Sequence, residues 1–163
     1  MKRVVLCGLA ATAMVVSGLS AHAGVVTVGN YYEDTNSVTC ATAITCTLFF
    51  TQIPAGKRLT VTSISCDFNG WNGLISVARF GAAQPSLSKS RYQPLPVTYT
   101  TGSGQYRYYS AALPPTKRVF AATLLPIVTA DGIKTSTANM NISIYCQITG
   151  QLTNAAADVA DAE

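Results

Sequence analysis

From residue 139 to 151 the chain alternates: Met140, Ile142, Ile144, Cys146 and Ile148 fall on one parity, and Asn141, Ser143, Tyr145, Gln147 and Thr149 on the other. In an extended backbone successive side chains change face, so this pattern gives one apolar and one polar side, as in a strand covered on one face. A helix would scatter the same residues around its circumference. Residues 57–68 read as a second strand, announced by Pro54-Ala55-Gly56. Here Leu59 and Val61 share one parity, while Ile64, Cys66 and Phe68 share the other. The change near Thr62-Ser63 predicts a bulge or a strand covered on both faces.

Shorter runs with β-forming composition follow at 25–32, 45–53, 74–80, 96–101, 105–113 and 118–125, with a weaker one at 133–137. Between them stand Asn69-Gly70, Asn72-Gly73, Gly102-Ser103-Gly104, Pro114-Pro115 and Asp131-Gly132, all turn signals. Asp131-Gly132 in particular predicts a hairpin over 128–133. Residues 82–94 are polar, carry two prolines and read as a long surface loop. No window after residue 23 shows a helical apolar stripe. The expectation is an all-β chain folded as one antiparallel β-sandwich, jelly-roll-like. An immunoglobulin domain fits poorly, because Trp71 follows Cys66 too closely and Ile144, not tyrosine, stands two before Cys146.

The N-terminus reads as a signal peptide over residues 1–23. Lys2 and Arg3 precede an uncharged apolar stretch, 4–19, and Ala21 and Ala23 sit at −3 and −1 of a cut before Gly24. The apolar stretch has sixteen residues, short of the roughly 18–20 that a spanning helix needs. No membrane span is therefore expected after cleavage. The domain covers 24–154, and 155–163 is an Ala- and Asp-rich tail expected to be disordered. Cys7 leaves with the signal peptide; Cys40, Cys46, Cys66 and Cys146 remain. In an exported chain, secreted or periplasmic, four cysteines imply two disulfides. Proximity favours Cys40–Cys46, and a shared inward parity favours Cys66–Cys146, joined across a sheet or between sheets. Zinc is a poor alternative, because the spacings are not CxxC-like and no histidine is left.

That loss of histidine also limits the chemistry. His22 is the only histidine and lies within the predicted signal peptide, so Ser–His–Asp and Cys–His sites are excluded. Ser86 to Lys89 matches S-x-x-K in spacing alone. The carboxylates of 24–154 are Glu33, Asp34, Asp67 and Asp131. None forms an evident facing pair of the kind a glycosidase needs, and there is no D-x-D-x-D cluster for calcium. No phosphate-cradling glycine motif is present. Nine Lys or Arg against those four carboxylates give 24–154 a charge of about +5, too mild for a nucleic-acid partner. Lys57-Arg58 and Lys117-Arg118 read as solvated charges at strand entries. The chain is expected not to be an enzyme and to carry no cofactor or metal.

The aromatic residues are more suggestive. Tyr92, Tyr99, Tyr106, Tyr108 and Tyr109 lie within eighteen residues, interleaved with Arg91 and Arg107. Over 105–113, Tyr106 and Tyr108 share one face, and Arg107 and Tyr109 the other. The turn at 102–104 is expected to fold Tyr99 back towards Tyr106. Tyr99, Tyr106, Tyr108, Arg107 and the turn residue Trp71 are thus the candidate ligand-binding residues, offering flat apolar faces with polar edges.

The run Ile53-Pro54-Ala55-Gly56-Lys57-Arg58-Leu59-Thr60-Val61-Thr62-Ser63-Ile64-Ser65 resembles a phrase in small exported bacterial β-sandwich proteins of unassigned function, and residues 142–152 are similar in style. The resemblance implies the fold and export but brings no activity. The function expected is a secreted, non-enzymatic binding or adhesive module with a Tyr-rich surface, its partner a glycan or envelope component. The alternative is a structural subunit of an envelope or extracellular homo-oligomer.

Overall fold

The computed structural model describes residues 24–83, 92–113 and 117–155. The predicted signal peptide, most of the predicted loop and residues 156–163 lie outside the described residues. In chain order the strands are β1 (Val26–Val28), β2 (Tyr31–Cys40), β3 (Thr45–Phe49), β4 (Lys57–Trp71), β5 (Gly73–Ala83), β6 (Tyr92–Leu95), β7 (Val97–Ser103), β8 (Tyr106–Leu113), β9 (Arg118–Phe120), β10 (Leu125–Lys134) and β11 (Asn141–Asn154). Two sheets form. The first runs β1-β2-β11-β4-β8-β7, with β9 beside the start of β4; the second runs β3-β10-β5-β6. Every pairing is antiparallel. One set of pairings is nested, namely β2 with β11, β3 with β10, β4 with β9 and β8, and β5 with β6, while β4–β11 and β5–β10 join that set side by side within each sheet. The two halves of the chain therefore pair like the arms of one long hairpin, wound across both sheets.

The core lies between the sheets. β11 contributes Ile142, Ile144, Cys146 and Ile148, and β4 contributes Leu59, Val61, Ile64, Cys66 and Phe68, all buried. Leu48, Ile75, Ala78, Phe80, Val128 and Ala130 face them from the second sheet. The parity change in β4 is a bulge. Thr149 pairs with Ser63 and Gly150 with Val61, so Thr62 has no residue opposite it on β11, and its hydroxyl donates to the Thr149 carbonyl at 3.2 Å. The extra residue lets both apolar parities of one strand enter the same core.

Cys66 and Cys146 are directly opposed on neighbouring strands of one sheet, not on different sheets, and are bonded with Sγ atoms 2.06 Å apart. Cys40–Cys46 joins β2 of the first sheet to β3 of the second. On the chain-entropy model the long and short loops so closed contribute about 4 and about 2 kcal/mol.

Several glycine signals prove not to be turns. Asn69-Gly70 lies inside β4. Asp131-Gly132 is a bulge inside β10, which runs unbroken to Lys134, so the expected hairpin is absent and part of the weak 133–137 strand belongs to β10. The reason is packing. A Cβ on Gly73 would stand 2.4 Å from Met140 Sδ, and one on Gly132 would stand 2.2 Å from Met140 Cε. These glycines make room for a buried methionine. Asn72, with φ 59°, is the corner where the chain leaves the first sheet for the second. The run expected at 118–125 is broken by a turn holding Thr123 at φ 66°. The predicted 82–94 loop starts and ends in strand, because Ala82 and Ala83 finish β5 and Tyr92 to Pro94 belong to β6.

One strand was not legible. In β2 the register that faces the core includes Asp34, only 1% exposed. Its Oδ2 accepts hydrogen bonds from Tyr32 Oη at 3.1 Å and the Thr51 backbone N–H at 2.7 Å. Burial, together with the Asp34 carboxylate, pushes the Tyr32 hydroxyl well above the usual tyrosine range.

Gly150 gives the sharpest packing test. A Cβ there would lie 2.3 Å from the Thr60 backbone oxygen, which a side-chain movement cannot relieve. Gly150→Ala is expected to cost about 1–3 kcal/mol, the usual range for overpacking. Gly104→Ala, in open space but at φ 58°, should cost only about 1 kcal/mol. Urea denaturation of both variants checks the order.

Candidate functional site

The outward faces of β8, β4, β11 and β2 form one lattice of side chains. Register places Trp71 opposite Tyr106, Asn69 opposite Tyr108 and Asp67 opposite Ser110. On the other side of β4, Asn141 is opposite Trp71, Ser143 opposite Asn69 and Tyr145 opposite Asp67. Thr39 and Ser37 of β2 then stand opposite Ser143 and Tyr145. Because side chains of one face sit about 5 Å apart across strands, these residues share a surface.

That surface is a trough with two lobes. One, of about 300 Å³, is lined by Thr39, Asn69, Trp71, Tyr106, Asn141 and Ser143. The other, of about 260 Å³, shares Thr39, Asn69 and Ser143 and adds Asp67, Tyr108 and Tyr145 among its walls. The Tyr106 and Tyr108 rings are nearly parallel, 17° apart in plane with centroids 6.4 Å apart. Exposure of 46% for Tyr106, 40% for Tyr108 and 52% for Tyr145 leaves their faces open to a ligand. The floor is polar. Thr39 and Ser143 share a hydrogen bond of 3.0 Å, and Asn141 Oδ1 accepts from the Thr42 backbone N–H at 3.0 Å. Asn69 Oδ1 is buried and has no hydrogen-bond partner among the described residues. A buried acceptor left unpaired costs about 1–3 kcal/mol.

Of the residues expected to bind, Tyr106, Tyr108 and Trp71 come together. Tyr99 does not join them. It pairs with Tyr109 on the opposite face of the sheet, their rings edge to face at 5.5 Å, and Tyr109 is buried. Arg107 is half-buried, and its Nη1 donates to the carbonyls of Gly104 and Tyr106 at 2.8 Å each, tying down the β7–β8 turn. Tyr92 lies on β6 of the second sheet, and Arg91 is outside the described residues. Tyr145, Asn69, Asp67 and Asn141 were missed as site residues. Their outward parity was readable in the alternation of 139–151, but nothing in the sequence says that β11 lies beside β4.

Other polar groups are engaged elsewhere. Tyr31 Oη donates to Glu33 at 2.6 Å, and Gln147 Nε2 donates to the same carboxylate at 2.7 Å. These bonds hold Glu33 below the usual carboxylate range and raise Tyr31. Arg118, read from sequence as a solvated charge, is half-buried instead. Its guanidinium lies over the Phe80 and Phe120 rings at 5.8 and 5.6 Å and donates to the Phe80 carbonyl at 3.2 Å, bridging the sheets. Burial lowers its pKa. Among the described residues no group of three or more His, Cys, Asp or Glu is placed to hold a metal ion. No family model, curated protein or solved structure matches the chain.

Proposed function

We propose that the chain is an exported, non-enzymatic binding module of jelly-roll-like architecture whose trough holds a glycan. The nested strand pairings support the jelly-roll reading, since that architecture is a long antiparallel arm-to-arm pairing rolled into two sheets. The trough carries the functional reading: aromatic rims rise on both sides of a floor of amides and hydroxyls. Sugar rings present apolar C–H faces that suit the exposed tyrosine rings and the half-buried Trp71, and hydroxyl edges that suit such a floor.

Two disulfides support an extracytoplasmic location, as does the Ala-x-Ala site before Gly24. No helix of the described residues is long and apolar enough to cross a membrane. N-terminal sequencing of the exported protein should begin at Gly24; a start at Met1 or at a lipid-bearing Cys7 would count against export by cleavage.

A second reading, a subunit of an envelope or extracellular homo-oligomer, is favoured by the outer side of the second sheet. Phe49, Leu74, Val77, Tyr92 and Ile133 are exposed on its strands. Under the binding reading the purified 24–163 chain sediments as a monomer, whereas a defined oligomer would favour assembly.

The binding reading itself is tested in a glycan screen. Tyr106→Ala with Tyr108→Ala removes two rings that a ligand would cover, each worth about 1.5 kcal/mol of apolar burial, so affinity should fall roughly a hundredfold. The thermal transition should hardly move, because both rings are open to solvent in the free protein. A large loss of stability would mark them as packing residues, and wild-type silence across the screen would sink the proposal.

A further inference from the structure

Within the glycan reading just given, on which this inference rests, we propose that the Asp67 end of the trough binds the ammonium group of an unacetylated amino sugar. The ligand is then an amine-bearing glycan, not a neutral or acidic one.

The charge pattern points there first. By sequence the domain over 24–154 is basic, yet among the described residues no Lys or Arg lines either lobe of the trough, and Asp67 is the one carboxylate that does. Asp67 is exposed and makes no hydrogen bond or ion pair among the described residues. The other three carboxylates of the domain are engaged: Glu33 with Tyr31 and Gln147, Asp34 with Tyr32 and Thr51, and Asp131 with Arg79 and Thr45. A uronate or phosphate in the trough would meet this negative charge with no cation among the described lining residues to offset it.

The surroundings of Asp67 suit a cation. Tyr145 stands directly opposite on β11, and Tyr108 is the diagonal neighbour on β8, within reach of a group held at Asp67. Aromatic faces attract ammonium groups through the ring quadrupole, more strongly as water is displaced. The exposed carboxylate and the two exposed ring faces accept an N⁺–H group, and none of them donates. The other lobe, with Trp71, Tyr106, Asn141 and Ser143, offers a ring-and-amide surface for the next sugar along the chain.

Titration calorimetry of the purified 24–163 chain tests this with three hexamers: β-linked glucosamine, its N-acetylated form and β-linked glucose. The glucosamine hexamer should bind at least tenfold tighter than the other two and weaken as salt is raised. Asp67→Asn, an isosteric change at an exposed position, should abolish that preference, so that the glucosamine hexamer binds the variant no tighter than the glucose hexamer does. Should the N-acetylated or glucose hexamer bind as tightly as the amine in a Tyr106- and Tyr108-dependent way, or Asp67→Asn keep the full preference, the amine assignment fails and the glycan trough stands. If none of these hexamers nor any glycan in the screen binds, both fall. Displacement of the glucosamine hexamer by hexalysine at equal concentration would overturn the sugar assignment in favour of a basic peptide.

Discussion

Every residue of β11 from Asn141 to Asn154 has a partner on β4, and this ladder sits at the middle of the larger sheet. Its inward parity supplies Ile142, Ile144 and Ile148 against Phe68, Ile64 and Leu59, the heart of the core. Its outward parity supplies Tyr145, Ser143 and Asn141 against Asp67, Asn69 and Trp71, the floor and part of the rims of the trough. The Cys66–Cys146 bond fixes the same two strands to each other. A one-residue slip of either strand would exchange the two sets. The bulge at Thr62 and the bare backbone of Gly150 hold the register where the parity of β4 changes.

What could be read from the sequence followed from how local the signal was. The alternation over 139–151 and the broken alternation over 57–68 are properties of single strands, and both appear in the structure as β11 and as a bulged β4. Cysteine parity and proximity likewise gave both disulfides. β2 was hidden because its inward positions include a buried carboxylate whose partners, Tyr32 and Thr51, come from its own strand and from a loop beyond β3. Composition cannot show that such a group will be satisfied. Glycine was the other source of error. Asp131-Gly132 and Asn69-Gly70 have turn chemistry, but the space above them is claimed by Met140 and by the Gly73 carbonyl. Those contacts exist only after the sheets have met.

The same division applies to the candidate site. Tyr106 and Tyr108 were identifiable because they stand two apart on one strand. Trp71 joined them through cross-strand register, and Tyr99 was lost to the opposite face for the same reason. Tyr31 shows that an exposed tyrosine is not by itself a site, since its hydroxyl is already committed to Glu33. The trough differs in keeping a carboxylate at Asp67 and an amide oxygen at Asn69 without partners among the described residues.

The two faces of the β4–β11 pair also differ in how freely they can change over generations. Inward positions are locked by close packing, two bonded cysteines and a glycine whose added Cβ would press on the Thr60 backbone. Outward positions meet solvent or one another across an open groove, where substitutions are usually cheap. A lineage carrying this scaffold can therefore redress Asp67, Asn69, Ser143 and Tyr145 one at a time without disturbing the residues beneath them. The outward surface of such a sheet can diversify far faster than the sheet itself.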